Sequence, residues 1–412
     1  MMRVPAALAA LTCLAACHEP DRPAQWLEAA IDVPVPATAG SRYPNLAPLP
    51  GGAVMSWLAP DVGGGFALRQ STWTGGAWTA PGTVAAGSDW FINWADFPSV
   101  VPVAGRVWAA HWLQQKPGDV YSYDVRIAVS QDAGETWSQP MSPHDDGTPT
   151  EHGFVSLVGD GDSARAVWLD GRQTSGEHDH SGGSGNGDSG GGGAMTLRSA
   201  LVGPDGLKLG PDVELDARTC DCCQTDTART REGLVVVYRD RSETEIRDIA
   251  LLRQTAAGWS DPVPVARDGW LIDACPVNGP AVDARGDTVV VAWFTAADKP
   301  RVRLAFSANG GRTFRDPVEV AAGKVAGRVD VALLPDGRAV VSWLEDETGS
   351  AEIRAQPFTA EGPAGAVAVI ARSEVARSSG FPQMVLVDGA LLFAWTRPGD
   401  PPQVQAALAR LR

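Results

Sequence analysis

Nothing in the 412-residue chain approaches the ~20 consecutive apolar residues that a membrane-spanning helix needs, and its 44% hydrophobic content describes a soluble globular body. Positive charge is short as well: 34 Lys and Arg face 49 Asp and Glu, a formal net charge of −15. Nucleic acid and anionic lipid surfaces both demand a basic footprint, so neither is expected as a partner. The acidity serves solubility. Tyrosine is scarce, with only Tyr43, Tyr121, Tyr123 and Tyr238, and none beyond the last of these.

What the chain has in quantity is repetition. Apolar stretches close on an aromatic residue at Trp57, Trp112, Trp168, Tyr238, Trp293, Trp343 and Trp395, with successive gaps of 55, 56, 70, 55, 50 and 52 residues. A Pro often opens the unit (Pro44, Pro98, Pro276, Pro382), and a β-rich run such as Thr288-Val289-Val290-Val291-Ala292-Trp293 follows a turn. A third strand ends in a Gly turn, and an aromatic-x-x-Pro step follows at Trp78/Pro81, Trp137/Pro140, Trp259/Pro262 and Phe314/Pro317. Four short strands per unit, punctuated by Gly and Pro, predict one all-β domain, a β-propeller of four-stranded blades. Seven blades are expected, or six if the unit behind the 70-residue gap is an insertion. The last unit supplies only three strands, ending with Gln403 to Leu411, while Trp26 to Val35 reads as an orphan strand. The N-terminal strand is therefore expected to close the ring.

The N-terminus carries an address. Met1 to Cys17 holds one Arg, an apolar run from Val4 to Ala16 and small residues before the cysteine, the pattern of a secretory signal. Leu14-Ala15-Ala16-Cys17 resembles the lipobox of bacterial lipoproteins, which implies lipidation at Cys17 and a lipid anchor as the sole membrane attachment. His18 in place of Asp after the cysteine implies the outer membrane, facing the periplasm. The expected organisation is a signal peptide over 1–16, a tether over 17–24 and the propeller over 25–412, with a disordered Gly/Ser/His loop at 173–193.

Ser130-Gln131-Asp132-Ala133-Gly134-Glu135-Thr136-Trp137 fits the Ser-x-Asp-x-Gly-x-Thr-Trp pattern completely, and Ser307, Asn309, Gly311, Thr313 and Phe314 repeat its spacing. A third copy keeps Ser71, Gly75 and Trp78. The Asp or Asn side chain is expected to bond turn amides, the Gly to take positive φ, and the aromatic to pack between blades. With these motifs the chain resembles the sialidase-like Asp-box (BNR) propellers over about residues 40 to 410. Arg42-Tyr43-Pro44 is similar to the Arg-x-Pro of sialidases, which implies an arginine holding a substrate carboxylate, with Arg239 and Arg328 as further candidates. The resemblance also implies a late Tyr nucleophile paired with a Glu, and nothing after Tyr238 supplies one. No catalytic residue is assigned.

With Cys13 in the signal and Cys17 lipidated, four cysteines remain: Cys220, Cys222, Cys223 and Cys275. Cys223 and Cys275 precede Tyr238 and Trp293 by 15 and 18 residues, which places both where an inner strand begins, near one mouth of the channel. The same offset finds Arg42, Asp96, His152 and Arg328 in other units, and this ring is the candidate ligand site. An oxidising compartment favours disulfides, with Cys275 joined to Cys220 or Cys222. The alternative is a Cu or Zn site, since thiolates with His152 nearby are soft ligands, although Cys-x-Cys-Cys is unlike the Cys-x-x-Cys knuckle. Glu177-His178-Asp179-His180 offers a metal-collecting arm or a solvated insertion. The expected function is a monomeric recognition or scaffold module for a glycan or an envelope protein, without a cofactor. A glycoside hydrolase and a copper, zinc or thiol-redox protein are the alternatives.

Overall fold

The computed structural model describes residues 25–118, 120–174, 193–347 and 350–412. The signal peptide, the whole tether with Cys17, and His178 and His180 lie outside the described residues.

Seven antiparallel sheets follow one another along the chain as the seven blades of a β-propeller. Blade five shows the plan in Ala281–Arg285, Thr288–Thr295, Arg301–Ser307 and Val318–Ala322, counted outward from the axis. Blade two has three continuous strands, and its outer edge is a single bridge between Ile127 and Met141. The ring closes through the N-terminal segment: Ile31–Val33 pairs with Gln403–Arg410, Ile31 opposite Leu408 and Val33 opposite Ala406. Leu27 bridges Leu411, and the Trp26 indole donates to the Ala366 carbonyl at 2.7 Å. Among the described residues no helix is long and apolar enough to cross a membrane.

Side chains alternate across a strand, and here both faces are covered by a neighbouring blade. In Thr288–Thr295, Val289, Val291 and Trp293 pack toward blade four, whereas Val290, Ala292 and Phe294 pack toward blade six. This is why the second strands read as unbroken apolar runs. Each repeated aromatic turns the same way: Trp57, Trp112, Trp168, Tyr238, Trp293, Trp343 and Trp395 all enter the cluster shared with the preceding blade. They lie on the second strand, not the innermost one, because the crowded axis has no room for an indole while the widening gap between blades does. Trp168 and Trp293 bury their indole N–H groups against Asp170 and Asp268, at 2.8 and 2.7 Å.

The outer turns are held locally. The Thr136 amide donates to Asp132 Oδ1 at 2.8 Å, the Gly134 amide donates to Ser130 Oγ at 2.8 Å, and Gly134 takes φ of 85°. The Asn copy keeps the scheme, with the Thr313 amide on Asn309 Oδ1 at 3.0 Å.

Candidate functional site

The innermost strands surround an axial cavity of about 560 Å³. Where three of them begin, the register breaks in a bulge, and a bulky residue is forced to positive φ: Tyr43 at 54°, Phe154 at 52° and Arg328 at 51°. Bulges of this kind turn a side chain out of its strand toward a site. At this mouth the turned residues meet the segment before blade two. Trp94 stacks on Phe381 with centroids 5.7 Å apart, Gln224 Nε2 donates to the Ala95 carbonyl at 2.6 Å, and Phe154 joins the same cluster.

The mouth residues expected from spacing have different fates. Arg328 sits under Trp94, its guanidinium 4.8 Å from the ring, and donates to the carbonyls of Val375, Ala376 and Gly380 and to Ser379 Oγ. Desolvation pulls its pKa down to about 10. Arg239 likewise donates to the carbonyls of Asn278, Arg247 and Phe294. Both arginines are spent on backbone, so the cluster that would grip a carboxylate is not assembled. Arg42 is half-buried, with its guanidinium over Phe66 and Nε on the Gly40 carbonyl.

Asp96 is buried against Tyr123, whose hydroxyl donates to Glu151 Oε1 at 2.5 Å and lies 3.4 Å from Asp96 Oδ2. Gly153 is obligatory beside it: a Cβ there would stand 2.0 Å from Asp96 Oδ2. Burial pushes the Asp96 carboxyl up to about 8, and Glu151 adds to the shift, against the amide of Phe154 and the Tyr123 hydroxyl. A carboxyl that keeps its proton when folded and loses it when unfolded adds stability at low pH, and that stability drains away as pH rises through the folded value. Asp96→Asn keeps an oxygen for the Phe154 amide and removes the titration. Its melting temperature should exceed the wild type's above about pH 8 and converge with it toward about pH 4. Parallel curves across that range would show that Asp96 does not titrate there.

His152 is fully buried and stacks on His144, centroids 3.8 Å apart and planes 2° from parallel. Its Nδ1 faces the carbonyls of Thr150 and Tyr123, and Nε2 meets Asp146 at 3.1 Å. Burial opposes its charge, but the Asp146 bond and the Asp170 charge raise its pKa, while burial lowers that of His144. The surrounding carboxylates are already matched by Lys116 and Arg172. The donor atoms of His152 gather with Asp124 and His144, or with Asp146 and Asp170, not with the thiols. The expectation that His152 joins the cysteines is corrected on this point: its side chain faces blade two, whereas the cysteines enter the cluster between blades three and four.

The cysteines do come together. Cys220, Cys222 and Cys223 lie on the connection into blade four, with their sulfurs all within 4.8 Å of one another. All three are buried, and Cys222 also meets the thiol of exposed Cys275, which arrives on the connection into blade five. Cys220 Sγ stands 3.2 Å from Cys223 Sγ, and no disulfide joins any of the four. The disulfide expected between Cys275 and Cys220 or Cys222 is therefore not formed in this structure.

Sequence reasoning missed the charged neighbours of this cluster. Arg247 is buried and points Nη1 at Cys220 Sγ, 3.5 Å away. Arg247 and Arg241 share Glu245 and Asp221, while Arg239 adds a third guanidinium with no carboxylate among its hydrogen bonds. With Arg218, which reaches Glu245 at 3.4 Å, four guanidinium groups thus face two carboxylates. Burial opposes ionisation of Cys220, yet hydrogen bonds from Cys222 and Cys223 and the charges of Arg247 and Arg239 hold its thiol well below the usual range. Burial and the Cys220 sulfur raise the other two. The run Arg239 to Arg247 is visibly charged in the sequence, but only the fold turns Arg247 inward.

No family model and no curated protein matches the chain. Solved structures do. A protein of unknown function from Dyadobacter fermentans DSM 18053 is 17% identical over 77% of this chain and 94% of its own, with a TM-score of 0.50. The α-L-arabinanase of Penicillium chrysogenum is 14% identical over 94% and 98%, with a TM-score of 0.48. The NanB sialidase of Streptococcus pneumoniae is 8% identical over 87% and 84%, with a TM-score of 0.49. At such identities the likeness speaks to fold alone.

Proposed function

We propose that this chain is a cell-envelope lipoprotein whose propeller binds a soft, thiophilic cation, Cu(I), on Cys220, Cys222, Cys223 and Cys275. The reading rests on one observation: three buried sulfurs converge beside guanidinium groups that outnumber their carboxylates. A pair of disulfides in that place would be neutral and would leave the buried positive charge unmatched, which is costly in a low-dielectric interior. A thiolate complex of Cu(I) is an anion and matches it. Thiolate donors select Cu(I), Zn or iron–sulfur clusters; Cys220 and Cys223 keep the Cys-x-x-Cys spacing of a zinc knuckle, but adjacent Cys222 brings a third sulfur from the same turn, which a knuckle does not have. Sialidase-type hydrolysis is not part of this reading, because Arg239 and Arg328 are spent on carbonyls and the Tyr123–Glu151 pair is buried.

Anaerobic titration of the reduced protein with Cu(I) against a chromogenic Cu(I) chelator tests the proposal. Uptake of one Cu(I) per chain, with Zn(II) unable to displace it, is expected. Disulfide-linked Cys220–Cys223 and Cys222–Cys275 peptides from protein purified without reductant, together with no copper uptake, would contradict it.

A further inference from the structure

The four sulfurs are not equivalent. Cys220, Cys222 and Cys223 are 0, 7 and 1% exposed, held between blades three and four by Val167, Leu169, Val236 and Leu252. Cys275 is exposed, and so are its neighbours Asp273 and Ala274. Its arch is pinned at both feet. The Ile272 amide donates to the Glu245 carbonyl at 3.0 Å, and beyond the arch the Asn278 carbonyl takes Arg239 Nη2 at 2.8 Å while the Gly279 amide donates to Gln224 Oε1 at 2.9 Å. Val277, between Cys275 and the far foot, has φ of 47°, a left-handed conformation that a β-branched residue rarely adopts. The strained turn aims the exposed thiol back at Cys222.

Resting on the Cu(I) reading, we propose that Cys275 is the exchange ligand of the site, the sulfur through which Cu(I) arrives from and departs to a carrier that holds it on thiolate, thioether or imidazole donors. The buried sulfurs pack among apolar side chains, and Cys275 is the exposed one of the four. Transfer is ligand exchange without redox: a Cu–S bond to Cys275 forms as a bond to the carrier's donor breaks, and the Cys275 thiol proton leaves to solvent. Bonds to the buried sulfurs then form in turn as the carrier detaches, each remaining thiol giving up its proton to solvent as its Cu–S bond forms. Copper stays Cu(I) throughout, so no oxidant or reductant is consumed. Release runs the same steps backward. Cys220, whose Sγ lies 3.5 Å from Arg247 Nη1, is the sulfur that holds the ion at the far end.

Wild type and Cys275→Ser, each loaded anaerobically with one equivalent of Cu(I), would be chased with excess bathocuproine disulfonate and followed by stopped flow. Cys275 is at the surface, so the variant should fold. The variant should still take up one Cu(I) and should release it at least about tenfold more slowly, the order of effect that the loss of a supporting group at a metal site has, because the buried sulfurs are left without the surface ligand through which the ion leaves. Iodoacetamide should modify Cys275 alone in the native metal-free protein and should fail to do so once copper is bound. An unchanged or faster release rate, or labelling of Cys275 that copper does not block, would overturn the exchange role and leave the site itself standing. A variant that takes up no copper would overturn it too, by making Cys275 indispensable to holding the ion. Failure of the wild type to bind Cu(I) would remove the underlying reading as well.

Discussion

Cys223→Ser should abolish stoichiometric Cu(I) binding while leaving the propeller folded. Cys223 is 1% exposed and sits 3.2 Å from Cys220 Sγ, so a hard hydroxyl there removes a soft donor from the centre of the cluster. Arg247→Met is the informative companion, because it keeps the volume of the stem and deletes the charge that faces Cys220. Its Cu(I) affinity should fall by about 10- to 100-fold, the usual cost of losing a group that supports a metal ligand. The disulfide alternative makes the opposite forecast: a neutral sulfur pair gains nothing from Arg247, and the methionine variant would then be equal or more stable with no change in metal content. Competition titration with a chelator gives the first result, and thermal melting gives the second.

Trp293→Ala should destabilise the fold by about 3–5 kcal/mol, the range for emptying a buried aromatic site. Trp293 is fully buried between blades four and five, beside Val237, Leu251 and Val291, and its indole N–H is bonded to Asp268. The cavity cannot collapse easily, because the ring fixes the distance between blades. The substitution also strands the Asp268 carboxylate with Arg303 alone, which adds to the loss. Trp293→Phe should cost distinctly less, since most of the apolar volume remains. Equal losses in the two variants, measured by denaturant unfolding, would show that the indole hydrogen bond rather than the wedge carries the effect.

The blades were legible because their signal is one-dimensional: an aromatic every fifty-odd residues survives without knowledge of what it touches. The closing strand was legible for a related reason, as Trp26 to Val35 had strand character and the last unit lacked one strand. The position of the aromatics within a blade was not. A single run such as Thr288 to Trp293 does not say which strand lies on the axis, and only the shape of the ring shows that an indole belongs one strand out.

The site divides in the same way. The convergence of Cys220, Cys222 and Cys223 with Cys275 followed from shared offsets to the repeat, which amounts to knowing the blade geometry. The offsets failed for His152 and Arg328, which hold the right blade position but turn to other partners: His152 to His144 and Asp146, Arg328 to a ring of carbonyls. Arg247, the residue that distinguishes a metal thiolate from a staple, showed in the sequence only as one charge in a charged run. Its inward orientation depends on pairing with Glu245 and on the turn that brings Cys220 across from blade three.

X-ray absorption at the copper edge of the Cu(I)-loaded protein tests the central claim most directly. Copper surrounded by sulfur alone, with three neighbours or more, is expected in the wild type. A shell containing nitrogen or oxygen donors, or copper that fails to stay with the protein while Cys220 and Cys223 are recovered as an oxidised pair, would contradict it.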